Sequence, residues 1–298
     1  MRVLVTGGAG FIGSTIVDAL VARGDTVVAI DDLSTGTRAN VATTTPLRVA
    51  DVSDERQLRG ALRGEGFDVI VHAASKTKVV ESMEKPELYR RVIVEGTRNV
   101  ARIADELGVK MLVNLSTGGA IYGETADCAA EDMTVDPPSN YGKDKAEAEQ
   151  IVGASRVPSI TLRLANVYGP RQRKDLEGGV VAIFLARWRS GEPLVVYGAG
   201  SAQRDYVFVS DVVDAVLASF AGTWHGVYNI GTGVPTSVND LIAALSGILG
   251  RPQGITHTAA RPAEIERSCV DASKAAREAL WQPRTTLVDG LRRTAATA

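Results

Sequence analysis

Apolar residues along this chain fall into two alternating rhythms. Short continuous runs, Val3 to Thr6, Val27 to Asp31, Leu47 to Val49, Val69 to His72, Met111 to Leu115 and Ile160 to Leu164, have the length and β-branched content of buried strands. Between them apolar positions recur three and four residues apart. Ile12, Ile16, Val17, Leu20 and Val21 make one helical stripe that ends near Gly24, Leu88 to Leu107 reads as one long helix, and Asp144 to Val152 reads as another. Strand and helix in alternation predict an α/β fold with a parallel, doubly wound sheet, because parallel neighbours need crossover helices that pack back onto the sheet. From Tyr168 onward the rhythm breaks into loops punctuated by Gly and Pro with shorter elements between them. That change predicts a smaller C-terminal α/β lobe closing over the carboxyl ends of the strands. The expected division is 1–166 for the first domain, with 207–220 returning to it, and 167–298 for the second lobe, where Ser237 to Leu249 reads as a helix.

Composition narrows the ligand more than the fold. The 298 residues are 45% hydrophobic and carry a formal net charge of −2, so the chain buries a full core yet exerts no global attraction on nucleic acid or acidic lipid. Any phosphate must be held by local groups, which points to a small anionic metabolite. Cys128 and Cys269 are the only cysteines, without metal-ligand spacing, and His72, His225 and His257 are scattered. Neither a disulfide framework nor a metal site is expected. Met1-Arg-Val-Leu-Val enters a core strand directly and no apolar run is long enough to span a bilayer, so a cytoplasmic protein with no membrane partner is expected.

The chemistry starts where the first strand ends. Gly7-x-x-Gly10-x-x-Gly13 follows Val3 to Thr6 and opens the first helical stripe, the arrangement that binds a dinucleotide pyrophosphate. Gly7 turns the chain off the strand, Gly10 admits the phosphates, and Gly13 lets the helix pack close to the sheet. Asp31, at the end of the second strand, is placed to bond the adenosine ribose hydroxyls and to repel a 2′-phosphate, which selects NAD over NADP. Further on, Tyr141 and Lys145 stand at i and i+4, one turn apart on one helix face. A phenol beside an ammonium and a positively charged nicotinamide is drawn toward phenolate and can serve as a base.

The glycine motif, Asp31, a strand ending Asn114-Leu-Ser116-Thr117, then Tyr122-Gly-Glu and the Tyr141/Lys145 pair together resemble the extended short-chain dehydrogenases/reductases. Within them the chain is similar to the NAD-dependent nucleotide-sugar epimerase/dehydratase family, nearly end to end. The resemblance implies a Rossmann sheet and a cofactor site of Gly7, Gly10, Phe11, Ile12, Asp31, Asp51, Val52, Ala73, Ala74, Tyr141 and Lys145. In Ala50-Asp51-Val52 it implies adenine contact, and in Val71-His72-Ala73-Ala74 a cofactor wall. Asn166-Val-Tyr-Gly-Pro-Arg-Gln172, Val196-Tyr-Gly-Ala-Gly200, Gln203-Arg-Asp-Tyr206 and Arg261-Pro-Ala-Glu264 resemble the sugar-nucleotide site. Asn166, Arg204 and Arg261 would then hold the diphosphate while Val180 and Tyr197 border the uracil. A homodimer through the two long helices is a further implication of the resemblance.

Departures from the family carry information too. Gly118 stands where the family presents Ser or Thr, so Thr117 is expected at the sugar O4, with Ser116 as second candidate. Ile93 replaces a family Asn in the long helix, three residues before Gly96-Thr97. His72 reads equally as a satisfied core histidine, and Asp211 as a helix cap ahead of Val212. The implied reaction is NAD-dependent 4-epimerisation of a UDP-hexose through a transient 4-keto sugar, with UDP-glucose/UDP-galactose ahead of the alternatives. Ser268, seven residues after Arg261, is small enough to admit an N-acetyl group, and Arg173 is a candidate partner for a uronate carboxylate, so UDP-N-acetylglucosamine and UDP-glucuronate stay open. A nucleotide-sugar dehydratase or reductase is opposed by Gly118-Gly-Ala, which lacks the acidic pair that elimination uses. A non-enzymatic NAD-sensing module would need neither Tyr141 nor Lys145.

Overall fold

A computed structural model describes residues 1–175, 179–260 and 265–297. The chain opens with β1 (Arg2–Thr6), α1 (Phe11–Ala22), β2 (Thr26–Asp31), β3 (Leu47–Val49), α2 (Glu55–Ala61) and β4 (Val69–His72). There follow α3 (Val79–Glu84), α4 (Pro86–Arg90), a π turn at Arg91–Glu95, α5 (Gly96–Leu107), β5 (Met111–Thr117), α6 (Asn140–Gly153) and β6 (Ser159–Leu164). The second half supplies β7 (Asn166–Tyr168), α7 (Val180–Ser190), β8 (Leu194–Tyr197), β9 (Gln203–Phe208), α8 (Val209–Ser219), β10 (Gly226–Ile230) and β11 (Pro235–Ser237). It ends with α9 (Val238–Leu249), β12 (Ile255–Thr258), β13 (Arg267–Ser268), α10 (Ser273–Ala279) and α11 (Leu287–Thr297).

All seven strands of the main sheet are parallel, in the order β10-β6-β5-β4-β1-β2-β3. This is the doubly wound Rossmann architecture. Strand alternation sends Val3 and Val5 into the core shared with Ile16 and Leu20 of α1 and Val212 and Val216 of α8, and Leu4 into the opposite core with Leu58, Val100 and Val152. Both faces are therefore buried, which is why the strands read as continuous apolar runs. The strand order reverses between β1 and β4, and a ligand crevice opens there at the carboxyl ends.

The helix expected over Leu88 to Leu107 is continuous from Pro86 but carries the π turn at Arg91–Glu95, where the Thr97 hydroxyl donates to the Ile93 carbonyl (2.5 Å). Asp211 is not a cap: α8 starts at Val209, and the Asp211 carboxylate accepts from the Thr285 N–H (3.1 Å) and hydroxyl (3.0 Å), tying down the C-terminal segment. The helix expected from Ser237 forms with Ser237 and Asp240 as a reciprocal capping box.

Beyond the main sheet, β9 is the spine of the second lobe. It pairs with β11, β13 and β7, while β8 and β12 form a separate parallel pair. The expectation of no disulfide is overturned here. Cys128 and Cys269, 141 residues apart, are bonded, with Cα atoms 4.5 Å apart. The physical cause is a local backbone match: Ala129 bridges Val270, the Ala129 N–H donates to the Cys269 carbonyl (2.9 Å) and the Asp271 N–H to the Ala129 carbonyl (2.8 Å). Among the described residues no helix is long and apolar enough to cross a membrane.

Candidate active site

β1 hands the chain to Gly7 at φ +66°, and a Cβ there would lie 2.7 Å from the Ala74 backbone nitrogen. A Cβ on Gly13 would collide with the Gly7 carbonyl. Only glycine at these positions lets α1 start against the end of the sheet. The N-terminus of α1 has no side-chain cap and no acidic residue in its first turn, so its dipole and first-turn amides face the cleft. Across the cleft, Asp31 accepts from the Ala9 N–H (3.0 Å) and the Leu33 N–H (2.8 Å). Burial pushes its pKa up and those two N–H groups oppose the shift. The cavity between, about 330 Å³, is lined by Gly7, Gly10, Phe11, Ile12, Asp31, Asp51, Val52, Ala73 and Ala74, with Ser116, Thr117 and Tyr141 toward its far end. Amide donors at one place and a buried carboxylate at the other suit a dinucleotide's pyrophosphate and ribose.

At the end of that cleft three elements converge. Ser139 caps α6 by accepting from the Gly142 N–H (3.1 Å), which starts the helix just before Tyr141. β5 brings Thr117, whose side chain hydrogen-bonds the Tyr141 phenol. A Cβ on the next residue, Gly118, would run into Val270, so the strand can turn away from the site only with glycine there. Tyr89, Ile93, Ala120 and Ala148 form the apolar cluster around Tyr141, and the π turn presents Ile93 to it. Burial pushes the Tyr141 phenol up to about 12, opposed by the Thr117 hydrogen bond. The lowering expected from Lys145 does not dominate. The Lys145 ammonium is itself buried, donates to the Leu115 carbonyl (2.9 Å), and is pushed down to about 8 by desolvation, with Glu149 opposing.

Ser116 is directed differently from Thr117: its hydroxyl donates to Glu149 (2.5 Å). His72 is a satisfied core residue, bonded through Nδ1 to Thr6 (2.7 Å) and through Nε2 to Thr97 (3.0 Å). Because the Thr97 hydroxyl gives its proton to Ile93, the ring proton sits on Nε2. Burial, then the Lys145 charge, holds the ring neutral down to about pH 3.

A second cavity of about 870 Å³ opens from the same point. Thr77, Val79, Gly119, Ala120 and Asn166 line both, so the two spaces meet beside Tyr141. Val180, Tyr197 and Arg204 stand in its wall with Phe184, Tyr206 and Val238. Ser268 lies behind that wall, buried, with its hydroxyl donating to the Gly119 carbonyl (3.3 Å). Arg173 is elsewhere. It donates to the Thr35 carbonyl (2.8 Å) and pairs with Asp175 (2.5 Å), which holds it over the cofactor cleft instead of the sugar. Arg261 falls outside the described residues. Gln172, at the end of the stretch expected at the sugar nucleotide, lines the cofactor cleft and donates to the Val167 carbonyl (3.0 Å).

The sequence model of the NAD dependent epimerase/dehydratase family matches residues 3–231. This chain belongs to that family. It is 39% identical to a UDP-glucose 4-epimerase of Mycolicibacterium smegmatis, covering 99% of this chain and 97% of the relative. Its fold is similar to that of the Thermotoga maritima UDP-glucose 4-epimerase crystallised with UDP-glucose, at TM-score 0.95 and 35% identity over 99% of this chain and 98% of the other. The Thermus thermophilus UDP-glucose 4-epimerase in complex with NAD gives TM-score 0.94 and 37% identity, with the same coverage. The protein is an NAD-dependent enzyme, and the cleft at the glycine turn has the groups that cofactor needs.

Proposed function

We propose that this enzyme interconverts the C4 epimers of a UDP-hexose, with UDP-glucose and UDP-galactose as its substrates, residues 1–166 together with 207–220 forming the cofactor domain and the rest of 167–298 holding the sugar nucleotide. The observation that carries the reading is the Tyr141 phenol, hydrogen-bonded to Thr117, at the junction of the two cavities. NAD, held by Gly7, Gly10 and Asp31, would supply the hydride acceptor and donor for C4 and would not be consumed overall. Tyr141 takes the proton of the 4-hydroxyl and Thr117 shares it, while Lys145, held by the Leu115 carbonyl, keeps positive charge one helical turn away. Since burial alone raises the phenol, the positive charges of the loaded site must offset that penalty. Arg204 and Arg261 grip the diphosphate, guanidinium forks being matched to phosphate oxygens. The hexose is gripped less, which lets the keto sugar turn over between the two hydride transfers.

Two features narrow the sugar and the reaction. The Arg173 guanidinium is directed to Asp175 and the Thr35 carbonyl over the cofactor cleft and is not in the wall of the sugar-facing cavity. Gly118-Gly-Ala beside Tyr141 has no acid to expel water, which opposes a dehydratase. The same reading includes a homodimer built on the long helices, checked by sedimentation. A panel of UDP- and dTDP-hexoses, with products read by NMR, tests the substrate; a 4-epimer formed from UDP-galactose is expected. Tyr141→Phe should cut turnover by on the order of 10²–10⁴ while NAD affinity stays within about twofold. If a phenylalanine variant turned over normally, the assignment would fail.

A further inference from the structure

The strongest buried polar group that this mechanism leaves unused lies two turns along α6 from Tyr141. Tyr141, Lys145 and Glu149 stand at i, i+4 and i+8 on the helix. Glu149 and Arg163 of β6 are only 8% and 7% exposed in their side chains, so the pair is out of water. Arg163 binds the carboxylate through Nη2 (2.7 Å) and Nε (3.1 Å to each oxygen), and the same carboxylate accepts the Ser116 hydroxyl (2.5 Å). The other end of the guanidinium donates to the Tyr122 hydroxyl (2.7 Å), which donates in turn to Asn229 of β10 (2.8 Å). One connected network thus fastens α6 to β5, β6 and β10.

We propose that Glu149 is a positioning residue of the hydride-transfer site, acting through Lys145 on its own helix and through Ser116 on the strand that carries Thr117. The inference rests on the epimerase reading above. Ser116 and Thr117 are adjacent on β5, so the Ser116 contact fixes the strand end whose next residue hydrogen-bonds the phenol. The carboxylate also stands against the loss of charge that burial imposes on Lys145. Among the described residues, the other charged groups of the elements packed here are directed to partners of their own. His72 on β4 is neutral, and Arg163 on β6 is cationic and already paired with Glu149. Asp144 and Glu147 of α6 face Arg90 of α4, with Arg98 of α5 also near Glu147. Glu95 of the π turn pairs with Arg98, and Glu81 of α3 with Lys85 and Tyr89. An ion pair this deep is poor evidence for stability by itself, since an apolar pair often does as well. Its place on the catalytic helix supplies the second reason for it.

The test is Glu149→Gln, which keeps the shape and removes the charge. The expected result is an alkaline limb of kcat/KM moved to lower pH by about one unit, because Lys145 loses the group that opposes its deprotonation. NAD affinity should hold. Ser116→Ala, which leaves the ion pair in place, should lower kcat about five- to tenfold with KM and the pH limb unchanged, the mark of lost orientation alone. If Glu149→Gln does not fold, Glu149→Asp draws the charge back from Ser116 and Lys145, and the limb should move in the same direction by a smaller amount. A folded variant with wild-type kcat and an unmoved limb overturns the inference, since a purely structural role would change only the melting temperature. NMR titration of Lys145 in lysine-labelled protein separates this from the substrate reading. A downward shift in the variant upholds the proposal even where no UDP-hexose turns over, and no shift overturns it even where epimerisation is robust.

Discussion

The cofactor cleft and the sugar-facing cavity meet beside Tyr141 but are built on opposite plans. The cleft draws its floor from residues 7–74, the β1-α1-β2-β3-α2-β4 stretch, whose first βαβ unit carries a glycine turn, a helix N-terminus and a strand-end carboxylate in succession. The cavity is gathered from Thr77, Gly119, Asn166, Val180, Tyr197 and Arg204, with Ser268 behind, and its strands are held around β9. One site is a local motif; the other is a product of tertiary assembly. Changes to the first should strike cofactor binding, and changes to the second should strike the sugar nucleotide while leaving the cofactor in place.

The Cys128–Cys269 bond offers the harshest test of that contrast, because it ties the loop after Gly119 to the segment bearing Ser268. Replacing both cysteines by serine should cost about 2–5 kcal/mol in thermal or urea unfolding. It should also raise KM for the sugar nucleotide with NAD affinity unchanged; a matching loss of NAD binding would break the comparison. Next in size, Gly13→Val overpacks the turn against the Gly7 carbonyl at about 1–3 kcal/mol. Calorimetry should then find NAD bound about ten- to a hundredfold more weakly.

The nucleotide half also carries a pH signature. His72 is neutral in the folded state down to about pH 3, whereas an unfolded histidine titrates near ~6.5. The folded pKa is the lower one, so this stabilisation is complete above ~6.5 and is lost as pH falls toward 3. The slope is up to about 1.4 kcal/mol per pH unit. Denaturant melts from pH 7 to 5 should show it, and His72→Gln should flatten it. Smallest is Arg173→Ala, which removes an exposed latch over the cofactor cleft at about 0.2–1 kcal/mol. Faster NAD release with unchanged sugar specificity would sharpen the division; a selective change in uronate binding would count against it.

Legibility followed the same line. The glycine turn, Asp31, the six strands of the first half and the α6 pair are repeats or spacings of neighbouring residues, and each appears in the structure where the residue pattern put it. What stayed hidden depends on partners distant in sequence. Arg173 looked available to substrate because Thr35 lies 138 residues away. Ser116 stood second to Thr117 as a candidate at the sugar O4, and what separates them is Glu149, 33 residues from Ser116, which takes its hydroxyl. Asp211 looked like a cap because Thr285 is 74 residues downstream.

Backbone demands and burial periodicity are written in adjacent residues, so the doubly wound sheet, the NAD cleft and the tyrosine–lysine pair were set by the amino-acid order alone. The union of Cys128 with Cys269, the direction of the Arg173 guanidinium and the burial of Glu149 against Arg163 were decided only on folding. Each depends on which distant surfaces come within a few ångströms, and electrostatic and hydrogen-bonding energies act over just that range.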